Sequence, residues 1–245
     1  MAVSVSYPPT RRIEYPSSDG LPMAESDFQR KPLTYAINAL GLYFQDRPDV
    51  YVSGDLFIYY EQGNPEAVVA PDVFVVFGAP KRDRSTYLLW NEPKAPDFVL
   101  EITSRSTRSK DQGPKRGTYA FLGVREYVQY DPTQDYLTPP LQGGRLVGNS
   151  YTPMPLATLP DGTLVLHSEV LGLDLRLENG ALRFFDPRTA QPLLTYSEIE
   201  QARREAEQAR REAEARARQE AVAREAAEAR LAALEARLRD LQRES

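Results

Sequence analysis

The C-terminal stretch constrains this chain more than any other. From Ser197 the sequence "SEIEQARREAEQARREAEARARQEAVAREAAEARLAALEARLRDLQRES" contains no Gly and no Pro and is dominated by Ala, Glu and Arg. These are strong helix formers, and nothing in the run would stop a helix once it had begun. "QARREAE" occurs twice in succession, a seven-residue repeat. Leu231, Leu234, Leu238 and Leu241 follow at spacings of 3, 4 and 3, which is an a/d seam. The middle of the run is Ala-rich, so its seam is weak, and its charge is nearly balanced, with 11 Arg against 12 acidic residues from 198 onward. Such a helix buries its leucine stripe only by self-association or by docking on another body. The expected organisation is an extended segment over residues 1–22, a folded domain over 23–192, and a coiled-coil helix over 197–245 that makes the protein a homo-oligomer.

The rest of the chain is long enough for one ordinary domain, and 41% hydrophobic residues supply its core. There are no cysteines, which excludes disulfides and Cys-ligated zinc and fits a reducing compartment. A single histidine, His167, excludes a multi-His metal site and makes any Ser-His or Cys-His chemistry depend on that one residue. No apolar run is long enough to span a membrane, and "MAVSVSYPPTRRIEYPSSDG" has no apolar signal core, so a cytoplasmic location is the default. The net charge of -5 is not that of a constitutive nucleic-acid coat protein, but a locally basic surface can still serve an enzyme that acts on nucleic acid.

Residues 1–22 are rich in Pro, Ser and Tyr and read as extended. A helix begins near Glu25, where Ser26 and Gln29 have the form of a capping box. Leu33, Ile37, Leu40 and Phe44 then recur at helical spacing, with Pro32 marking its start or a kink. "DVYVSGDLFIYY" reads as one or two strands, and "AVVAPDVFVVFG", "PDFVLEI" and "REYVQYD" each hold a further strand. A helix is expected around residues 112–122, with Pro114 in its first turn. "LDLRLENGALRFF" is two alternating runs around an Asn-Gly turn, a hairpin signature. The order predicts an α/β or α+β layer with a mixed sheet flanked by helices. Residues 132–190 are expected to form short strands that pack against it.

The chemistry centres on "PDFVLEITSRST", residues 96–107. Alternation puts Val99, Glu101 and Thr103 on one face of this strand and Phe98, Leu100 and Ile102 on the other. A carboxylate in an apolar strand costs several kcal/mol unless something compensates it. A strand glutamate is usually paired with Arg or Lys. Alternatively, Asp72, after Pro71 at the start of another strand, could share a hard cation such as Mg²⁺ with it. The following segment carries Arg105, Arg108, Lys110, Lys115 and Arg116 against one acid, Asp111. It reads either as a solvated loop or as a set of phosphate contacts.

Taken together, the residues from "PDV" through "APDFVLEITSRSTRSKDQGPKRGTYAFLGVREYVQYDP" resemble the Uma-type proteins, a bacterial family in the PD-(D/E)xK restriction-endonuclease-like superfamily. The match includes Pro71-Asp72, Glu101 with Ser104, Ser106-Thr107, then Asp111, Lys115 and Tyr119 at four-residue intervals. Gly123-Val124, Glu126-Tyr127 and Asp131 complete it, and "LHSEVLGLDLRL" resembles the family's later strands. The resemblance covers about residues 20–185. It implies a mixed sheet flanked by helices and hydrolysis of DNA phosphodiester bonds dependent on Mg²⁺ or Mn²⁺. It implies that Asp72 and Glu101, with the Ile102 carbonyl, ligate the metal. Thr103 stands where the superfamily has lysine, and Lys115, from the next helix, matches the family's relocated lysine, which orients water and stabilises the transition state. Arg105, Arg108, Lys110 and Arg116 are candidate DNA contacts. Glu25, Asp55, Thr103, Asp111 and Tyr119 are further candidates at the site, Tyr119 and Tyr127 reading equally well as core.

If Thr103 and Lys115 together supplied no cation, the alternative would be a catalytically inactive nucleic-acid-binding or coiled-coil assembly protein on the same fold. His167 and Trp90 read as structural. No Gly-rich phosphate loop is present, and no small-molecule cofactor is expected.

Overall fold

The computed structural model describes residues 13–17, 26–103 and 113–243. The elements run α1 (Asp27–Tyr43), β1 (Val50–Ser53), β2 (Ile58–Tyr59), β3 (Val68–Val69), β4 (Val73–Phe77), β5 (Tyr87–Leu88) and β6 (Phe98–Ile102). They continue with α2 (Pro114–Phe121), β7 (Glu126–Tyr130), β8 (Leu141–Val147), β9 (Ser150–Pro153), β10 (Leu156–Thr158) and β11 (Leu164–Ser168). The chain ends in β12 (Leu173–Glu178), β13 (Ala181–Asp186), β14 (Gln191–Pro192) and α3 (Tyr196–Arg243).

A mixed six-stranded sheet, ordered β1-β4-β6-β7-β8-β9, is the frame. Its central strands carry "VFVVF", "FVLEI" and "EYVQY", runs buried on both faces, as middle strands must be. β6 and β7 are parallel, which demands a crossover, and α2 supplies it. β6 runs antiparallel to β4 on its other side. The alternation of β6 is realised. Phe98, Leu100 and Ile102 enter one apolar cluster with Val73, Val75 and residues of α1. Val99 enters another, with Phe74, Tyr119 of α2 and Tyr127.

α1 covers the first face with Leu33, Ala36 and Leu40 fully or nearly buried and Phe44 just past its end. Ser26 is its N-cap, but the side chain makes no capping bond, so the capping-box expectation is not realised. The Ser26 carbonyl accepts the N–H groups of Gln29 and Arg30 instead. Pro32 sits inside the helix without ending it.

An all-antiparallel second sheet, β10-β11-β12-β13-β14, closes the same cluster with Leu166, Leu175, Leu182 and Phe184. The expected hairpin is β12–β13. Asn179 and Gly180 both have positive φ, 51° and 80°, the conformation an Asn-Gly two-residue turn requires. A small third sheet, β3-β2-β5, holds Tyr59, whose ring meets Tyr15. Trp90 packs on Tyr15 at 5.0 Å, an anchor as expected. His167 is half exposed and pairs with Asp174 at 2.8 Å.

The chain divides into two compact units, residues 1–195 and 196–245. The second is the 48-residue helix α3, laced by pairs one turn apart such as Arg211–Glu207 and Arg224–Glu228. Each such pair adds only about 0.3–0.5 kcal/mol. Leu231 and Leu234 are exposed on it. No helix among the described residues is long and apolar enough to cross a membrane.

Candidate active site

The face of β6 that carries Glu101 is covered by α2. Pro114 is in the first turn of this helix, as its fixed φ favours. Lys115 and Tyr119, four residues apart, therefore project from one side of α2 toward the sheet. Tyr119 is fully buried, and its hydroxyl donates to Glu101 Oε1 at 2.6 Å. Lys115 Nζ donates to Glu101 Oε2 at 2.9 Å and to the Ala70 carbonyl at 3.2 Å. Glu101 is itself completely buried. One helical turn thus delivers a cation and a hydroxyl to one carboxylate, which answers the desolvation cost of a charge in a strand. Burial first, and then the Glu101 charge, raise the Tyr119 pKa well above the usual tyrosine value. The hydroxyl stays protonated and acts as a fixed donor.

Asp72 precedes β4, and alternation with Phe74 and Val76 puts it on the Glu101 face of the sheet. Its Oδ2 accepts the Ile102 N–H at 2.5 Å. Its charge is also a minor contributor to the raised pKa of Tyr119, after burial, Glu101 and Tyr127. β4–β6 pairing stops at Val73 and Leu100, and the Asp72 carboxylate takes up the strand edge beyond it. In a strand the N–H and C=O of one residue leave from the same edge. The Ile102 carbonyl therefore faces the Asp72 side, while Thr103 N–H turns the other way to the Tyr130 carbonyl at 2.8 Å.

Thr103, two residues beyond Glu101 on the same face, is buried, and its Oγ1 has no hydrogen-bond partner among the described residues. Asp55 is brought close through backbone: its N–H donates to the Pro71 carbonyl at 3.1 Å. The preceding Gly54 makes this possible, since a Cβ there would lie 2.0 Å from the Asp72 carbonyl oxygen. Arg116 points away from Glu101. It donates to the Tyr151 carbonyl at 3.0 Å and lies over the Tyr151 ring, tying α2 to β9. Glu25, Arg105, Arg108, Lys110 and Asp111 lie outside the described residues.

Other buried acids show what a structural carboxylate looks like in this protein. Glu126 pairs with Arg145, its neighbour across β7–β8, and accepts from the Ser168 hydroxyl and the Glu169 N–H. Asp97 binds Lys94, Arg125 and the Phe77 N–H. Asp131 accepts the N–H groups of Thr133, Gln134, Tyr136 and Leu137. Each of these holds loops or strands together.

Among the described residues no group of three or more His, Cys, Asp or Glu is placed to hold a metal ion. The oxygens available are the carboxylates of Asp72 and Glu101 and the Ile102 carbonyl. All are hard donors of the type Mg²⁺ accepts while keeping several of its waters, so the donor chemistry fits such an ion. Sequence reasoning missed Gln129, which stands beside Glu101 in the β6–β7 register and is buried on the same face. The available signal was a polar residue inside the apolar run "EYVQY", the same kind of irregularity that marked Glu101.

The profile of the family Uma2, described as "Putative restriction endonuclease", matches residues 5–178. No curated protein sequence matches the chain. A solved structure from Anabaena variabilis ATCC 29413, described as a putative nuclease belonging to DUF820, aligns at 13% identity with a TM-score of 0.42. The alignment covers 57% of this chain and 75% of that one.

Proposed function

The chain belongs to the Uma2 restriction-endonuclease family, and from that premise we propose that it is an endonuclease that hydrolyses DNA phosphodiester bonds with Asp72, Glu101 and Lys115. The observation that carries the reading is the Lys115 ammonium on the buried Glu101 carboxylate, on the sheet face that also carries Asp72. Asp72, Glu101 and the Ile102 carbonyl would hold Mg²⁺ or Mn²⁺. The chemistry such an ion supplies when bound is polarisation of a phosphoryl oxygen and a lowered pKa for a coordinated water.

The protein's own groups do the rest. Tyr119 fixes the Glu101 carboxylate from one side, so its orientation is set before substrate arrives. Lys115 is only partly buried, with 20% of its side chain exposed, and can meet an incoming phosphate oxygen without breaking the fold. There it would orient the attacking water and balance charge that develops on the phosphorus oxygens. Lys115 thus takes the role that the superfamily gives to a lysine at the position of Thr103. We further propose that α3 self-associates through its leucine seam, which would present two sites to the two strands of a duplex.

The ion pair also supports a second reading. A Glu101 neutralised by Lys115 is stable as it stands, as in a nucleic-acid-binding or assembly protein that no longer cuts. Cleavage of supercoiled plasmid by the purified full chain in Mg²⁺ or Mn²⁺, compared with Glu101→Ala and Lys115→Ala, separates the two. The nuclease reading expects nicking by wild type and its loss in both variants. Equal cleavage by all three means a contaminant, and no cleavage with DNA binding retained supports the second reading.

A further inference from the structure

Residues 13–17 meet the third sheet, β3-β2-β5, through Tyr15 and Pro16. The Tyr15 ring packs on two others, Tyr59 of β2 at 5.1 Å and Trp90 just past β5 at 5.0 Å. Its hydroxyl accepts the Gly63 N–H at 2.7 Å, and the Tyr59 hydroxyl donates to the Pro16 carbonyl at 2.6 Å. Tyr59 is nearly fully buried, so the Pro16 carbonyl supplies the partner its hydroxyl needs. Terminal segments are loose unless something ties them down. Here one tyrosine ties together β2, the turn after it and the stretch after β5. The three strands so tied are two residues long each, and a sheet of that size draws its stability from what packs on it.

The same sheet leads into the active site. Tyr59 pairs with Val68, and Ile58 with Val69, in the antiparallel β2–β3 ladder. Ile58, Val69 and Tyr87 enter the apolar cluster that also holds Tyr119. β3 ends one residue before Ala70, whose carbonyl accepts Lys115 Nζ at 3.2 Å, and Asp72 follows two residues on. Lysine is a point charge on a flexible four-carbon stem. A backbone acceptor beside Glu101 narrows where its ammonium can sit.

We infer that residues 13–17 are a strap, and that Tyr15 is a positioning residue for the active site, acting through β2 and β3 on the Ala70 carbonyl and so on Lys115. For its catalytic consequence the inference rests on the nuclease reading. Neither apolar cluster of the body includes Tyr15, so the strap is not what closes the core. The contacts of Tyr15 and Pro16 fall on the small sheet and its flanking turns, and the end of that sheet is where Lys115 is tethered. Loss of the strap therefore acts on the placement of β2 and β3 and leaves the six-stranded frame in place.

The test is competitive acetylation of lysines in the full chain, without DNA or metal, read by mass spectrometry. Wild type is compared with Tyr15→Ala, Trp90→Ala and Tyr15→Phe. Lys31, exposed on α1, calibrates the reagent, and Lys81, held by the Phe44 and Gln45 carbonyls, reports on the frame. Tyr15→Ala and Trp90→Ala should each raise the labelling of Lys115 several-fold and leave Lys81 unchanged. Tyr15→Phe keeps the ring and should stay near wild type. In plasmid cleavage Tyr15→Ala should lower kcat by about 10-fold, short of the ~10²-fold that a misplacement of ~1 Å can cost, with KM for DNA unchanged. Unchanged Lys115 labelling in Tyr15→Ala would overturn the inference. So would a rise shared by Lys81, which is general loosening. The two readings fail separately: a wild type that labels as expected without cutting defeats only the nuclease, and a cutting enzyme whose Lys115 ignores Tyr15→Ala defeats only the strap.

Discussion

Lys115 Nζ lies 2.9 Å from Glu101 Oε2 across a separation of 14 residues, reaching from the first turn of α2 to the C-terminal end of β6. On the function proposed above, this lysine does the work expected of one two positions after the glutamate, where this chain has Thr103. The first prediction concerns that exchange. Lys115→Met should slow DNA cleavage by about 10²–10³-fold, the usual effect of removing one donor to developing charge. A cost of about 1–3 kcal/mol in stability should accompany it, from the cation lost by a buried carboxylate. Adding Thr103→Lys to Lys115→Met should recover part of the rate, because Thr103 shares the Glu101 face. Plasmid cleavage rates, with melting curves for each variant, check both statements.

Tyr119→Phe removes one hydroxyl and leaves the ring in place against Tyr127, whose centroid is 5.5 Å away. The loss to stability should be about 1–2 kcal/mol. The rate should fall less than in Lys115→Met, since Tyr119 orients Glu101 and meets no substrate. Urea unfolding and cleavage kinetics on the same preparations would separate the two effects. A fall as large as that of Lys115→Met would mean that Tyr119 acts on the reacting atoms.

Gly54 permits the turn before Asp55 to press against the Asp72 backbone. In Gly54→Ala the new Cβ would meet the Asp72 carbonyl oxygen at 2.0 Å, and Ile37 Cδ1 at 2.7 Å. A backbone oxygen cannot swing aside, so strand β4 must shift. A destabilisation of about 2–3 kcal/mol is expected, with cleavage reduced in proportion to the displacement of Asp72. Wild-type melting and wild-type cleavage in this variant would refute the link.

Asp131 governs an acid limb of stability. Burial alone would raise its pKa. The N–H groups of Tyr136 and Leu137 and the bonds from Thr133 outweigh burial and hold the carboxyl below the ordinary aspartate value. The ionised form is thus favoured in the folded state. Its contribution is full above the unfolded value of ~3.9 and is lost as pH falls through the lower folded value. Asp131→Asn should cost about 2 kcal/mol at neutral pH, or about 4–8 °C in Tm for a body of this size. The gap between variant and wild type should narrow as pH falls below the unfolded value and close below the lower folded one. Thermal melts across pH 2–7 measure it.

α3 makes the last prediction. Leu231 and Leu234 are 61% and 56% exposed on a helix that otherwise carries charge. Substituting both by Glu should convert an oligomer into a monomer with the plasmid-nicking site intact. Sedimentation equilibrium gives the mass, and an unchanged oligomer would place the association elsewhere.

Much of this protein is local and therefore legible in its sequence. The Gly- and Pro-free tail forms a helix because each residue in it favours one. The Asn179-Gly180 turn forms because both residues accept positive φ. The two faces of β6 separate because side chains alternate along a strand, so Glu101 had to share a face with Thr103. Spacing along α2 alone put Lys115 and Tyr119 on one side. The capping box at Ser26 failed because the helix start met its N–H groups with a backbone carbonyl, a choice local pattern does not make.

Only the tertiary structure decided what those faces meet. Among the described residues five acids are buried, Asp97, Glu101, Glu126, Asp131 and Asp186, and they look alike as sequence. Asp131 and Asp186 are met by groups a few residues away, whereas strand order and register bring Glu126 to Arg145 and place Glu101 opposite α2 with Asp72 at its side. The same register set Gln129 beside Glu101 on the buried face of the sheet. The reason is physical: a hydrogen-bond partner reaches only about 3 Å, and which residues come within that distance across strands depends on pairings that close loops of tens of residues. Sequence determined which residues could carry chemistry and which way they point; the sheet determined which of them stand together.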